Sequence, residues 1–212
     1  MGKMHRLIKN NSGFIIAMLL LLVCRSSIAD WYHVPTGSML PTIIQGDRIF
    51  VNKLAYQVQI PFTNIAIMEL DQPKTGDIIV FESAAAENRL IKRVIGTPGD
   101  VVSMQANRLT INGQSMHYSE DDPTYVTEHL PSSDHSVRGI GEPGHRDSFS
   151  PVKVPEGYYL VLGDNRNNSA DSRVYGFVPA HEIQGKANTV IVSFDPENYY
   201  KPRAARYLAP LI

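Results

Sequence analysis

The sequence predicts a mainly β protein, an antiparallel β-sheet domain with an N-terminal transmembrane helix. Apolar residues form only one long run, from Gly13 to Cys24. Beyond it, short stretches rich in Val, Ile and Tyr recur, each bounded by Gly, Pro, Asn or Asp. Helix-period patterns are sparse over the same region. A chain of 212 residues, 43% hydrophobic and 19% charged, can hold one globular domain, or one domain with a sizeable insertion. Its net charge of −1 gives no overall electrostatic case for nucleic acid as a partner.

The N-terminus comes first. Lys3, Arg6 and Lys9 precede the apolar run, whose 12 residues fall short of the ~20 that a spanning helix needs. A charged flank, a run of this length and then Ser27-Ile28-Ala29 also match a cleavable signal peptide. Retention as an anchor is preferred, because the helix can extend to Trp31 and Tyr32, which suit a membrane interface, while Arg25 can snorkel. The expected organisation is 1–12 as a cytoplasmic N-terminus, 13–32 as a transmembrane anchor and 33–212 as an extracytoplasmic β-rich domain. That places the chain in the cytoplasmic (inner) membrane, its folded part on the outer face. The single cysteine, Cys24, lies in the apolar run, which rules out an intramolecular disulfide and suits a lipid-facing or packed residue.

The expected strands are 48–53, 77–81, 90–95, 100–104, 108–111, 158–162 and 187–192. Turns are marked at 74–77, at Thr97-Pro98-Gly99-Asp100, at Asn112-Gly113 and at Pro155-Glu156-Gly157. Short connections between such strands indicate antiparallel pairing. The stretch from 114 to 151 differs. It carries an acidic run, then Pro, Ser and Gly, and four histidines, His117, His129, His135 and His145. It reads as a long polar insertion from the β core, either functional or an inserted subdomain. The histidine spacings match no common zinc pattern, so surface histidines are expected there.

Three segments carry chemistry. Ser38 lies in Pro35-Thr36-Gly37-Ser38-Met39-Leu40-Pro41, where two prolines and a glycine exclude helix and central strand. The Thr36 hydroxyl and the Ser38 N–H can both donate to a developing oxyanion. Alone, the segment also reads as a Ser-Gly turn beside a membrane helix. Lys92 alternates onto one strand face with Leu90 and Val94, where desolvation lowers a lysine pKa and makes a neutral general base. The same pattern leaves open an edge lysine whose ammonium reaches water. The third segment, 163–173, is dense in hydrogen-bonding side chains. Asp171 and Arg173 can pair, and Ser169 can orient an amine.

Together these segments resemble the bacterial type I signal peptidases, S26-type Ser-Lys membrane serine peptidases. The matching blocks are Pro35 to Thr42 with Gly46-Asp47, Gly76 to Phe81, Ile91 to Asp100, and Gly163 to Arg173 with Tyr175 to Pro179, in the family's order. The resemblance implies Ser38 as nucleophile, Lys92 as general base, Ser169 as the lysine-orienting hydroxyl, and Ser38 N–H with Thr36 as oxyanion hole. It implies Asp171 and Arg173 as support of the last loop. Val34, Met39, Ile43, Leu90 and Ile91 are then expected to line pockets for small residues at P1 and P3 of exported preproteins. Thr36 stands where the family often has Ser, which keeps the hydroxyl. Asn167 stands where Asp is common, with only surface charge expected to change.

The expected activity is removal of signal peptides by acyl-enzyme catalysis, with preproteins and the lipid bilayer as partners. A peptidase dedicated to one substrate, such as a conjugative pilin-maturing peptidase, has the same motifs. A non-enzymatic membrane-tethered β binding module also remains open. A self-cleaving repressor needs an N-terminal DNA-binding domain where the apolar run stands. No cofactor is indicated, since there is no phosphate loop and no metal constellation. An apolar surface within 55–68 reads equally as packing or as membrane contact.

Overall fold

The computed structural model describes residues 11–63, 65–120, 122 and 124–211. Lys3, Arg6 and Lys9 lie outside them. Helix α1 (Ser12–Ser27) is followed by strands β1 (Ala29–His33), β2 (Asp47–Asn52), β3 (Gln57–Gln59), β4 (Ala66–Glu69), β5 (Ile78–Ser83) and β6 (Asn88–Gly96). Next come β7 (Val101–Gln105), β8 (Arg108–Ile111), β9 (Gln114–Ser115), β10 (His117–Ser119), β11 (Val126–His129), β12 (Asp134–Val137) and β13 (Phe149–Lys153). The chain ends with β14 (Tyr158–Leu162), the short helix α2 (Ser172–Tyr175), β15 (Val178–Pro179), β16 (Ile183–Asp195), β17 (Lys201–Pro202) and β18 (Ala209–Pro210).

The main sheet runs β1-β2-β16-β5-β6-β14-β15, with β17 and β18 also paired to β16, and every ladder is antiparallel. Alternation along β5 explains its two-sided burial. Ile78 and Val80 pack with Val34, Met39, Ile43 and Ile49, while Ile79 and Phe81 pack with Val94, Val161 and Val178. A smaller sheet, β13-β7-β8-β9, encloses a third cluster around Val102, Leu109 and Leu162. All seven expected strands form.

Two expectations are corrected. Helix α1 stops at Ser27, and Trp31 and Tyr32 belong to β1, an edge strand paired along its length with β2. Arg25 turns back to pair with Asp30 at 2.9 Å and covers the Trp31 ring at 4.5 Å. Among the described residues no helix is long and apolar enough to cross a membrane. The second correction concerns the histidines of the insertion. That segment forms the three-stranded sheet β10-β11-β12, in which His117 stacks on His129. His135 is buried, with no exposed side-chain surface, rather than on the surface.

Candidate active site

The ladder between β6 and β14 ends at the pair Arg93–Leu162. Gly163 then turns the chain away, leaving a gap beside Lys92. The segment carrying Ser38 fills that gap. The Asn165 N–H donates to the Ser38 carbonyl at 3.1 Å, and the Asn165 amide to the Gly37 carbonyl at 2.9 Å. Gly163 is required by close approach, because a Cβ there would collide with the Ser38 carbonyl and the Ser169 hydroxyl.

Lys92 Nζ reaches Ser38 Oγ at 2.8 Å and the Ile91 carbonyl at 2.9 Å. Lys92 is 3% exposed. Burial is the largest influence on the amine and pulls its pKa from 10.5 down to about 8. Asp171 and Asp164 push it back up and Arg173 lowers it further. At pH 7 such a group is neutral in about one molecule in ten, against about one in three thousand for a free lysine. The neutral amine can accept the Ser38 proton through its lone pair.

The third segment closes on itself. Arg173 grips Asp171 through two bonds, Nε to Oδ1 at 2.8 Å and Nη2 to Oδ2 at 2.7 Å. Asp171 also accepts the Gly163 N–H at 3.0 Å, which ties the two ends of the loop together. Burial works against this carboxylate, but Arg173 and the Gly163 N–H outweigh it and hold its pKa below the usual range.

The other expected site residues divide. The Thr36 hydroxyl and the Ser38 N–H have no hydrogen-bond partner among the described residues. The Ser169 hydroxyl is buried without one, so its expected contact with Lys92 is not made in this conformation. Val34, Met39 and Ile43 are sealed into the core and offer a ligand no surface. Leu90 and Ile91 are half-buried. Leu90 borders a pocket of about 190 Å³ with Phe81, Val161, Asp171 and Tyr175.

The sequence reading missed a set of charged side chains behind the dyad. Arg93, next to Lys92, makes two bonds to Asp164, Nε to Oδ1 at 2.9 Å and Nη2 to Oδ2 at 2.8 Å. Thr42, four residues after Ser38, donates to Asp164 at 2.6 Å. Asp164 therefore fixes both dyad segments from one point. Arg93 and Asp164 are each 1% exposed, and they lie 71 residues apart, beyond the reach of local pattern. Asn167 is also more than a charge site. Its amide oxygen accepts from Asn107 at 2.8 Å and its amide nitrogen donates to the Glu142 carbonyl at 3.2 Å. Among the described residues no group of three or more His, Cys, Asp and Glu side chains is disposed to hold a metal.

A protein-family model described as signal peptidase, peptidase S26, matches residues 7–192. The chain belongs to this family. Signal peptidase I of Pseudomonas fluorescens is 33% identical over 227 aligned residues, covering 97% of this chain and 80% of its own length. Signal peptidase I T of Bacillus subtilis is also 33% identical, over 86% of this chain and 84% of its own. A crystal structure of a signal peptidase I from Enterococcus faecalis aligns at 32% identity with 55% of this chain and 97% of that one, with a TM-score of 0.37. As an S26 peptidase the chain is a peptide hydrolase of the serine type, in which the Ser38 and Lys92 segments meet 54 residues apart.

Proposed function

We propose that this signal peptidase is a membrane-anchored serine endopeptidase that removes signal peptides from exported preproteins through a Ser38–Lys92 dyad. The observation that carries the reading is the 2.8 Å contact between Ser38 Oγ and a lysine amine whose burial favours the neutral form.

Neutral Lys92 takes the Ser38 proton as Oγ attacks the scissile carbonyl carbon. The Ser38 N–H and the Thr36 hydroxyl, both unengaged, stabilise the oxyanion. Collapse of the intermediate expels the new amino terminus, which takes its proton from the Lys92 ammonium. The restored amine then deprotonates a water that hydrolyses the acyl-enzyme ester. Ser169, with its hydroxyl also unengaged, is assigned the task of orienting the amine. Asp171 and Arg173 keep its loop in place. The pocket beside Leu90 is small enough to suit short substrate side chains.

The anchoring rests on α1 and its neighbours. Phe14, Ile16, Leu19 and Leu20 are all exposed. The hairpin β3–β4 presents exposed Phe62, Ile65, Ile67 and Met68, and the Phe62 N–H donates to Ser26 Oγ at 2.7 Å, at the end of α1. Two apolar surfaces that meet in this way support docking in one bilayer. The orientation that follows has residues 1–12 in the cytoplasm and 33–212 outside the cytoplasmic membrane, with 114–151 as an inserted subdomain.

The test is cleavage of a generic exported preprotein by the purified, detergent-solubilised chain, with Ser38→Ala and Lys92→Ala alongside. Cleavage after a small-x-small site, lost in both variants, is expected. Near wild-type cleavage by Lys92→Ala would overturn the dyad. A folded wild type that leaves the preprotein intact would point to a single dedicated substrate or to a binding module.

A further inference from the structure

Strand β1, which leads into the Ser38 turn, and β6, which carries Lys92, both leave an edge unpaired among the described residues. β14 pairs with β6 only from Arg93 onward, so Asn88 to Lys92 pair with β5 alone. β1 lies at the rim of the main sheet, paired with β2 alone. Two contacts join the β1 side to the β6 side: Lys92 Nζ to Ser38 Oγ at 2.8 Å, and the Arg89 guanidinium over the Tyr32 ring at 4.2 Å. At ~3.3 Å per residue, Arg89 stands about 10 Å along β6 from Lys92, so an extended substrate anchored at Ser38 meets it at about its fourth residue.

Beyond Arg89 lies a polar pocket of about 400 Å³ that no step of the mechanism uses. Asp30, Lys53, Gln59, Glu82 and Arg89 line it, and so does Ser26, at the end of α1. Its charges are unequal. Asp30 is paired with Arg25 at 2.9 Å and stands 3.9 Å from Lys53, while Glu82 accepts from Arg89 Nε at 2.6 Å. Arg25, Lys53 and Arg89 thus outnumber the carboxylates of Asp30 and Glu82. Donors are in excess as well. Among the described residues the Lys53 amine donates only to the Ser26 carbonyl, at 3.0 Å. Gln59 is 3% exposed, and its Nε2 is buried without a partner. A buried donor at the wall of a cavity and a surplus of positive charge both call for an acceptor.

We propose that this pocket is a specificity subsite of the peptidase: it takes a carboxylate side chain, and less well an amide, at P4 to P6 of the preprotein, upstream of the small residues at P1 and P3. The inference rests on the Ser38–Lys92 reading above and on the anchoring by α1. The apolar part of a signal peptide lies in the bilayer beside α1. The residues between that part and the cleavage site therefore run past Ser26 on their way to Ser38. Lys53 and Arg89 donate to the incoming oxygens, and Glu82 tempers the strength of the preference. The subsite acts on binding, so it shows in KM and leaves kcat.

The test uses the full chain in detergent and peptides with small residues at P1 and P3, each carrying Glu, Gln or Lys at P4, P5 or P6. At one of these positions KM is expected to rise from Glu to Gln to Lys, by at least about fivefold in all, with kcat within about twofold. Two substitutions at partly exposed positions read the charge directly. Arg89→Gln leaves Glu82 facing the pocket and should cut the preference for Glu over Lys at least about threefold, whereas Glu82→Gln leaves Arg89 unmatched and should raise it. A smaller preference at all three positions, a preference for Lys, or a shift of both variants in the same direction would overturn the proposal. A role confined to folding moves both variants alike. If one variant does not fold, the sign of the other decides. Ser38→Ala serves as the blank. If wild type cleaves no peptide better than that blank, the dyad reading falls and this inference with it. If wild type cleaves all the peptides equally, only the inference falls.

Discussion

Lys92 Nζ lies 2.8 Å from Ser38 Oγ while the lysine shares its strand face with Leu90 and Val94. Contact and desolvation act on the same amine, so activity should follow its titration. Only the neutral form accepts the Ser38 proton, and burial puts its pKa at about 8. The pH profile of kcat/KM is therefore expected to rise about tenfold per unit below pH 8 and to level above it. A profile that stays flat from pH 6 to pH 9 would remove Lys92 as the base.

The same burial has a cost in stability, and its sign follows from linkage. The folded pKa is depressed to about 8 from 10.5, so the unfolded chain binds the proton more readily between those values. The penalty is full below pH 8, on the order of 3 kcal/mol, and fades as pH rises toward 10.5. Lys92→Met removes the amine while keeping most of the volume. It is expected to stabilise the chain by roughly 1–3 kcal/mol at pH 7, with a smaller gain near pH 10, while abolishing cleavage. Denaturant unfolding at the two pH values checks this. Equal gains at both would mean that packing, not charge, is responsible.

How much of this was legible depends on which force left a local trace. Alternation along β6 did so, because side chains on a strand point to its two faces in turn. It put Leu90, Lys92 and Val94 together, and the structure agrees. Trp31 and Tyr32 misled. Aromatic residues after an apolar run suit a membrane interface, yet they suit an edge strand equally, and pairing with β2 decided. His135 misled more deeply. Polar composition signals exposure only while charges lack partners. Here Glu128 pairs with Arg166, and His135 is packed against Glu128 and near Asp164; Arg166 and Asp164 are distant in sequence, and no window on 114–151 contains them. Val34, Met39 and Ile43 were expected at a pocket from the resemblance alone. The turn at Ser38 directs them into the core instead.

Arg93 and Asp164 should respond to mutation quite differently from a surface pair. Both are 1% exposed, and Thr42 completes the bonding. Asp164→Ala leaves a guanidinium buried without its counter-charge and is expected to cost roughly 3–5 kcal/mol. The exposed pair Asp71–Lys74 has a similar 2.8 Å contact, yet Asp71→Asn is expected to leave the unfolding midpoint unchanged. Acid should act through the same site. The Asp164 and Glu128 carboxyls are held below their ordinary pKa values against the pull of burial, chiefly by Arg93 and Arg166 respectively. Their contribution is present above the unfolded carboxylate range and is lost as pH falls through the folded values. Unfolding measured from pH 5 downward checks this, and an Asp164→Ala chain with wild-type stability at pH 7 would contradict it.

The Asn167 amide bridges Asn107 and Glu142, which joins the hairpin of β7 and β8 to the insertion beside the 163–171 loop. Asn167→Asp keeps the acceptor for Asn107 but replaces the donor to the Glu142 carbonyl with an anionic oxygen. The expected cost is about 1 kcal/mol, with the loop from 138 to 147 loosened first. Hydrogen exchange over that loop is the direct measurement. Protection equal to wild type would return Asn167 to a mere surface role.

The apolar hairpin gives the sharpest test of membrane contact outside α1. Ile65 and Ile67 are 60% and 64% exposed, and no core cluster includes them. Replacing them removes little packing, so Ile65→Asp with Ile67→Asp should leave the thermal midpoint within a few degrees. On a bilayer the effect is different, because each buried aliphatic side chain contributes roughly 1.5–3 kcal/mol and each new carboxylate resists burial. Partition of the detergent-free chain onto liposomes should fall by at least about tenfold. Cleavage of a preprotein embedded in those liposomes should fall with it, since the dyad is then no longer held at the lipid surface. Unchanged partition would remove the hairpin from the proposed membrane contact.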